Sequence, residues 1–254
     1  MNLGLEGRTA LVTGASRGIG LAVAEALAAE GVHVVAGART KPDAAVDFVA
    51  ADLSTPDGPA ALVEAAVALL GGRLDILVNN VGGVHPRTGG FLTVTDDQWQ
   101  EALTINFLSP VRTTRAALPY LLERGGAVVT VGSVNASLPD PLVIDYSAAK
   151  AALVNFGKAL SKEVGPRGVR VNTVSPGPVA TDLWLGAGGV AETVGAAGGL
   201  DPSAVAEKAV GGTATGRFTR PEEVADLVLL LASGRAGNVT GEDIIIDGGL
   251  TTSL

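Results

Sequence analysis

Cysteine is absent from the 254 residues, and histidine occurs only at His33 and His85. Disulfides, thiolate zinc sites, iron–sulfur clusters and cysteine nucleophiles are therefore excluded, and two distant imidazoles are too few for an ordinary zinc site, so no metal is expected. Positive charge is also short: 18 Lys and Arg stand against 26 Asp and Glu, for a net charge of −8, and the cations are scattered. No basic stripe exists to attract nucleic acid or an anionic membrane surface, which leaves small molecules as the expected partners. Long hydrophobic runs are missing as well. The longest candidate, Leu21 to Ala38, is broken by Glu25, Glu30, Gly31 and His33, short of the ~20 uninterrupted apolar residues that a membrane span needs. The opening MNLGLEGRTALVTG carries no cationic segment followed by a long apolar run, so no secretory leader is expected and a cytoplasmic protein is.

What is present is apolar and periodic. Hydrophobic residues make up 47% of the chain, enough for one α/β domain spanning 1–254 to bury its core without covalent staples. Short β-branched runs alternate with longer Ala/Leu-rich stretches of helical spacing. That pattern predicts a doubly wound, seven-stranded parallel sheet with helices on both faces. The strand candidates are Thr9–Thr13, Val32–Ala36, Phe48–Ala51, Leu74–Asn79, Ala127–Gly132, Val169–Val174 and Asp243–Ile246. About six helices are expected, over Gly18–Glu30, Pro59–Leu70, Asp97–Glu123, Asp145–Val164, Pro202–Val210 and Pro221–Ser233. Arg39 to Asp47 leaves room for a turn or a single helical turn only. Leu183 to Gly216, rich in Gly and Ala with one helical pattern near Pro202–Val210, reads as an irregular lid, which the wider span 182–216 encloses.

Chemistry first becomes legible at the end of the first strand. The run Thr13-Gly14-Ala-Ser16-Arg17-Gly18-Ile19-Gly20 leads from strand to helix. Glycine there permits a tight turn and close backbone approach to a pyrophosphate, while the helix N-terminus supplies N–H donors and a positive dipole end. The spacing Gly-x-x-x-Gly-x-Gly differs from Gly-x-Gly-x-x-Gly, and by itself would describe a plain strand-to-helix turn. At the end of the second strand, where a NAD site carries an acid for the ribose 2′-hydroxyl, the residues are Ala36-Gly37-Ala38-Arg39-Thr40. With no acid there, Arg39 and Arg17 form a candidate fork for the 2′-phosphate of NADP(H), the preferred cofactor; NAD(H) is the alternative.

A second constellation follows the fifth strand. Ser133 stands at the carboxyl edge of the sheet, where ligands bind in open α/β folds. Tyr146 and Lys150, four apart at the start of a helix, share one face. A phenol with an ordinary pKa near 10 is a poor proton donor or base at neutral pH unless nearby positive charge stabilises its phenolate, and Lys150 offers that charge. Singly, each residue has a structural explanation: a packed aromatic beside a solvated amine, a serine that caps a turn. Their conjunction behind a glycine turn is what points to chemistry.

With these motifs in order, the chain resembles the short-chain dehydrogenase/reductase family, in its group of about 250 residues, over essentially its whole length. The resemblance implies a single-domain Rossmann fold and rests on Gly14, Gly18 and Gly20, Asp52-Leu53, Asn79-Asn80-Val81-Gly82, Asn106, Ser133, Tyr146, Lys150, and Pro176-Gly177-Pro-Val179-Ala-Thr181. Val81 stands where the family usually has Ala. By resemblance, Ser16, Arg17, Ile19, Arg39, Asp52, Leu53, Asn80, Val81, Gly82, Pro176, Gly177, Val179 and Thr181 join the glycines in holding the cofactor. Tyr146 would exchange a proton with the substrate oxygen, Ser133 would polarise it, Lys150 would lower the Tyr146 pKa and bind the nicotinamide ribose, and Asn106 would hold a water. The implied activity is NADP(H)-dependent hydride transfer to a ketone such as a 3-oxoacyl thioester. The alternatives are an NAD-dependent alcohol or sugar dehydrogenase, or a catalytically silent nucleotide-binding protein. A homotetramer built on Asp97–Glu123, Asp145–Val164 and Asp243–Ile246 is implied too. Val134, Leu138, Leu142, Val143, Trp184 and Leu185 are expected to wall the substrate site, with Asn135, Asp140 and Asp145 read as turn and cap residues.

Overall fold

The computed structural model describes residues 2–252. Seven strands form one parallel sheet: β1 (Thr9–Thr13), β2 (His33–Ala38), β3 (Asp47–Ala50), β4 (Ile76–Asn79), β5 (Gly126–Val131), β6 (Val169–Pro176) and β7 (Asp243–Ile246). Their order is β3-β2-β1-β4-β5-β6-β7, so the chain reverses its winding direction between β1 and β4. The crevice outside the carboxyl ends of those two strands is where such sheets bind ligands.

Alternate residues of each central strand face opposite layers. Ala10 and Val12 of β1, with Ile76 and Val78 of β4, pack into the core under α1 (Gly18–Ala29). Leu11 and Leu77 point the other way, against α2 (Gly58–Leu69). All six side chains are at most 2% exposed. Each buried Val, Leu or Ile among them contributes about 1.5–3 kcal/mol, and burial on both faces is why these strands read as near-continuous apolar runs.

The predicted helix over Asp97–Glu123 is divided into α3 (Asp96–Leu103) and α4 (Ser109–Arg124), with one π turn at Thr104–Leu108 between them. Pro110 is the cause visible in the sequence: it has no N–H for the carbonyl of Asn106 four residues earlier, and its ring crowds that carbonyl. The Asn106 side chain meanwhile donates to the Ala102 carbonyl at 3.0 Å, competing with the backbone ladder. Helix α3 itself starts cleanly, because Thr95 and Gln98 cap each other. Helix α5 (Ile144–Val164) follows β5, with Tyr146 and Lys150 in its first two turns.

Three helices occupy the span expected to be mostly irregular: α6 (Asp182–Leu185), α7 (Val190–Gly198) and α8 (Pro202–Gly211). Helix α7 was not expected, since its glycines argue against helix. Of its two glycines, Gly195 is a packing requirement: a Cβ there would sit 2.7 Å from the Leu200 carbonyl oxygen, so only glycine lets α7 close on the turn into α8. Helix α9 (Pro221–Ala232) completes nine α-helices among the described residues, three more than expected. The connection 39–46 contains bends and no helical turn. Strand β2 runs to Ala38 rather than Ala36, because Gly37 and Ala38 pair with Val49 and Ala50 of β3. Among the described residues, no helix is long and apolar enough to cross a membrane.

Candidate active site

The crevice at the β1/β4 switch is a cleft of about 1400 Å³, larger than the roughly 300–1,000 Å³ of a site for one small ligand. It has room for a dinucleotide and a second molecule. Its first part is built on the glycine turn. Gly14 and Gly18 have φ of +64° and +58°, the left-handed region that side chains rarely adopt. The turn is locked from behind by Asn80, whose amide donates to the carbonyls of Thr13 and Gly14 at 3.1 and 3.0 Å. Thr13 Oγ1 accepts the N–H groups of Asn80 and Val81 at 3.0 and 3.2 Å. The motifs Thr13-Gly14 and Asn80-Val81 are thus two sides of one hydrogen-bonded junction.

Ser16, Arg17, Ile19, Arg39, Asp52, Leu53, Asn80, Val81, Gly82, Pro176, Gly177, Val179 and Thr181 all line this cleft, with Gly14 and Gly18. Gly20 does not. It is buried beneath the turn, where a Cβ would come within 2.4 Å of both Asn80 Nδ2 and the Gly14 carbonyl oxygen. Its role is to let α1 approach the turn. Asp52 accepts the hydroxyl and N–H of Ser54 at 2.7 and 2.9 Å, and these bonds hold its carboxyl below the usual range, with a smaller contribution from Arg39. Arg17 faces Asp182 at the start of α6, 3.5 Å away, both side chains exposed.

At the far end lie Ser133, Tyr146 and Lys150. Strand β5 stops at Val131, two residues before Ser133, whose hydroxyl donates to Asn135 Oδ1 at 3.2 Å. Lys150 is 3% exposed; its ammonium donates to the Val131 carbonyl at 2.9 Å and lies 5.7 Å from the Tyr146 ring centre. Burial pulls the Lys150 pKa down to about 8. Burial also pushes the Tyr146 phenol up, offset in part by the adjacent Ser133 hydroxyl. The expected lowering of Tyr146 by Lys150 is not found in the chain by itself, because desolvation dominates.

Asn106 is fully buried and does not line the cleft. Within the π turn its amide accepts the Gly83 N–H at 3.1 Å and donates to the Gly83 carbonyl at 2.9 Å, leaving one oxygen lone pair for the expected water. Val134, Leu138, Leu142, Val143 and Trp184 line the cleft, whereas Leu185 does not and is 51% exposed. Sequence reading missed Val190 and Val194 of α7, Val205 of α8, and the loop Val84-His85-Pro86. The Val190/Val194 pair, one helical turn apart, was the available signal. Asp140 caps a turn through the Leu142 N–H, as read. Asp145 does more: it is 1% exposed and receives two bonds from Arg87, at 2.9 and 2.6 Å.

A doubly wound parallel sheet, a glycine turn at the switch point and a Ser, Tyr, Lys set in one cleft define a nucleotide-dependent oxidoreductase of the short-chain type. Comparison with known proteins agrees. The family model described as "Enoyl-(Acyl carrier protein) reductase" matches residues 14–251, and the chain belongs to the short-chain dehydrogenase/reductase family. It is 39% identical over 260 residues to a monensin polyketide synthase putative ketoacyl reductase of Streptomyces virginiae, covering 96% of this chain and 97% of that one. It is 34% identical over 258 residues to the 3-oxoacyl-[acyl-carrier-protein] reductase FabG of Vibrio cholerae, covering 98% and 99%. The crystal structure of L-sorbose reductase from Gluconobacter frateurii, complexed with NADPH and L-sorbose, superposes with a TM-score of 0.91 at 33% identity over all of both chains. The chain is accordingly an oxidoreductase that acts on a carbonyl or alcohol.

Proposed function

We propose that this protein reduces a small ketone with NADPH, Tyr146 delivering the proton. The observation that carries this reading is the buried ammonium of Lys150 beneath the Tyr146 ring, in the same cleft as Ser133 and the glycine turn. The cradle fits a dinucleotide: Gly14 and Gly18 leave no side chain over the turn, and Arg17 and Arg39 supply cations where a 2′-phosphate would lie, with no acid at the end of β2. The relatives' 3-oxoacyl and ketoacyl substrates, and NADPH in the sorbose reductase, support the same choice.

The bound cofactor supplies the hydride. The protein's part is general acid catalysis with preorganised donors. Tyr146 gives its hydroxyl proton to the carbonyl oxygen as that oxygen gains negative charge. Ser133 turns its hydroxyl from Asn135 to the same oxygen, exchanging one hydrogen bond for another. Lys150 keeps a positive charge beneath the phenol and stabilises the phenolate left behind. Asn106 holds Gly83, and so the loop over Lys150, in place. The mostly apolar wall from Leu138, Leu142, Trp184 and Val194 suits an acyl or small apolar ketone.

The same reading includes one domain with residues 182–216 acting as a lid, a cytoplasmic location and a homotetramer, the last tested by light scattering. For the activity, the test is a fluorescence titration with NADPH and NADH, then turnover of a ketone panel that includes a 3-oxoacyl thioester and L-sorbose. Selective NADPH binding with turnover is expected. Preference for NADH would overturn the two-arginine argument, and binding without turnover on the whole panel would overturn the reductase reading.

A further inference from the structure

A buried ion pair, Arg87 with Asp145, takes no part in that proton transfer. Asp145 immediately precedes Tyr146 and is 1% exposed, and the Arg87 side chain is 11% exposed. Both Nε and Nη2 of Arg87 donate to Asp145 Oδ2. The other carboxylate oxygen, Oδ1, accepts the N–H of Tyr146 itself at 2.9 Å. The Arg87 backbone N–H donates to the Leu142 carbonyl at 2.6 Å, just ahead of α5. Guanidinium, carboxylate and the first turn of the tyrosine helix are one bonded unit.

Stability gives little reason for a charged pair there. Desolvating two ions costs about several kcal/mol each, and well-packed apolar residues of similar volume often do as well or better. Location gives a better one. The loop that follows β4 is fixed near its start by Asn106 on Gly83, and at its end by Arg87 on Asp145 and Leu142. Between these clamps lie Val84, His85 and Pro86, which line the cleft. The pair therefore ties one wall of the cleft to the helix turn that carries the phenol.

We propose that Arg87 is a positioning residue for Tyr146: through the Asp145 carboxylate it fixes the phenol against the Val84–Pro86 wall along which a ketone substrate lies. This rests on Tyr146 being the proton donor. While paired, the two charges cancel, so the phenol is left facing Lys150 and Ser133. Removing one partner leaves the other as an uncompensated charge beside Tyr146, and the sign of the effect reveals which.

The chain has two tyrosines, so Tyr120→Phe leaves Tyr146 as the sole phenol, and its ionisation can be followed by phenolate absorbance without any substrate. In that background Arg87→Met strands the Asp145 carboxylate, and Tyr146 is expected to titrate at higher pH. Asp145→Asn strands the guanidinium and moves it lower. The neutral double variant R87M/D145L, which buries no charge, is expected to return the titration close to its parent. Mere loosening of α5 predicts a different outcome: solvent reaching a phenol whose pKa burial has raised would lower it in every variant.

With NADPH and either an acetoacetyl thioester of N-acetylcysteamine or L-sorbose as probe, kcat of R87M and of the double variant is expected to fall about tenfold or more, since misplacement by an ångström costs as much as ~100-fold. Arg87→Lys should recover part of the loss, and the NADPH Kd should not change. A Tyr146 titration that falls or stays still in R87M, or full kcat in the double variant, overturns the proposal. If the unaltered chain turns over neither probe, the reductase reading suffers instead, and the titration still decides the role of Arg87.

Discussion

The ammonium of Lys150 sits 5.7 Å from the ring centre of Tyr146, nearly sealed from solvent and held by a single backbone carbonyl, that of Val131. Burial lowers its pKa to about 8, whereas the unfolded chain keeps the ordinary lysine value near 10.4. The unfolded state therefore binds this proton more tightly, and Lys150 weakens the fold at neutral pH, a penalty that fades as pH rises through about 8. The fold carries that penalty where the proposed mechanism calls for a positive charge beside the phenol.

One prediction follows for the pH profile. The proposed reduction uses the proton on Tyr146 and the charge on Lys150; Lys150 is the group that titrates first, since Tyr146 is shifted upward. Reductive kcat/KM should be level at neutral pH and decline as pH passes about 8, the apparent value belonging to the coupled pair. Stopped-flow NADPH oxidation across this range checks it. A rate that climbs with pH would contradict the assignment of Tyr146 as acid.

Replacing Tyr146 with Phe keeps the ring beside Lys150 and removes only the transferable proton. Turnover should fall by roughly 10²–10⁴-fold, the usual weight of general acid catalysis, while NADPH binding stays intact. Measuring both on one preparation separates chemistry from folding. Near-normal turnover would remove the phenol from the mechanism.

The two arginines of the proposed cofactor cradle can be tested apart from the chemistry. Arg17 is engaged with Asp182 at 3.5 Å, but both are exposed, and such a pair contributes about 0–1 kcal/mol, so the guanidinium is easily surrendered to a phosphate. A charge-assisted bond to phosphate is worth about 1.5–3 kcal/mol. Arg39→Ala, and to a lesser degree Arg17→Ala, should weaken NADPH binding about tenfold or more and leave NADH binding unaltered, with a smaller salt dependence. Equal losses for the two cofactors would mean that neither arginine reads the 2′-phosphate.

Much of this site was legible in the sequence because its parts are local. The glycine turn, the pair Tyr146 and Lys150 one helical turn apart, and the missing acid after β2 each lie within a short segment, and the apolar strands give the sheet. What escaped reading depends on contacts between distant segments. Arg87 and Asp145 are 58 residues apart, so nothing near Asp145 distinguishes a buried ion pair from a cap. Helix α7 is built on a glycine that local propensity counts against it, and only the closeness of the Leu200 carbonyl explains why glycine is required. The π turn at Asn106 was half legible: Pro110 forbids a regular bond to the Asn106 carbonyl, but the amide bonds to Gly83 that accompany the turn come from another loop.

Gly20 gives the sharpest test of the cradle's geometry, because it does not touch the cleft and yet sets its shape. A methyl added there would meet Asn80 Nδ2 and the Gly14 carbonyl oxygen at 2.4 Å each. The Gly14 oxygen is backbone, and Asn80 is not free to swing away without giving up its bonds to Thr13 and Gly14. Gly20→Ala must therefore push α1 back from the turn or break the junction between Thr13 and Asn80. Alanine favours helix over glycine by up to about 1 kcal/mol, so propensity alone predicts stabilisation, whereas overpacking costs about 1–3 kcal/mol. The close contacts decide in favour of the cost: Tm should drop, and NADPH binding should weaken further than the stability loss explains, because the N–H groups proposed to hold the pyrophosphate move with α1. Thermal unfolding with and without NADPH measures both effects, and a variant with raised Tm and undiminished binding would show that the turn does not need glycine at that position.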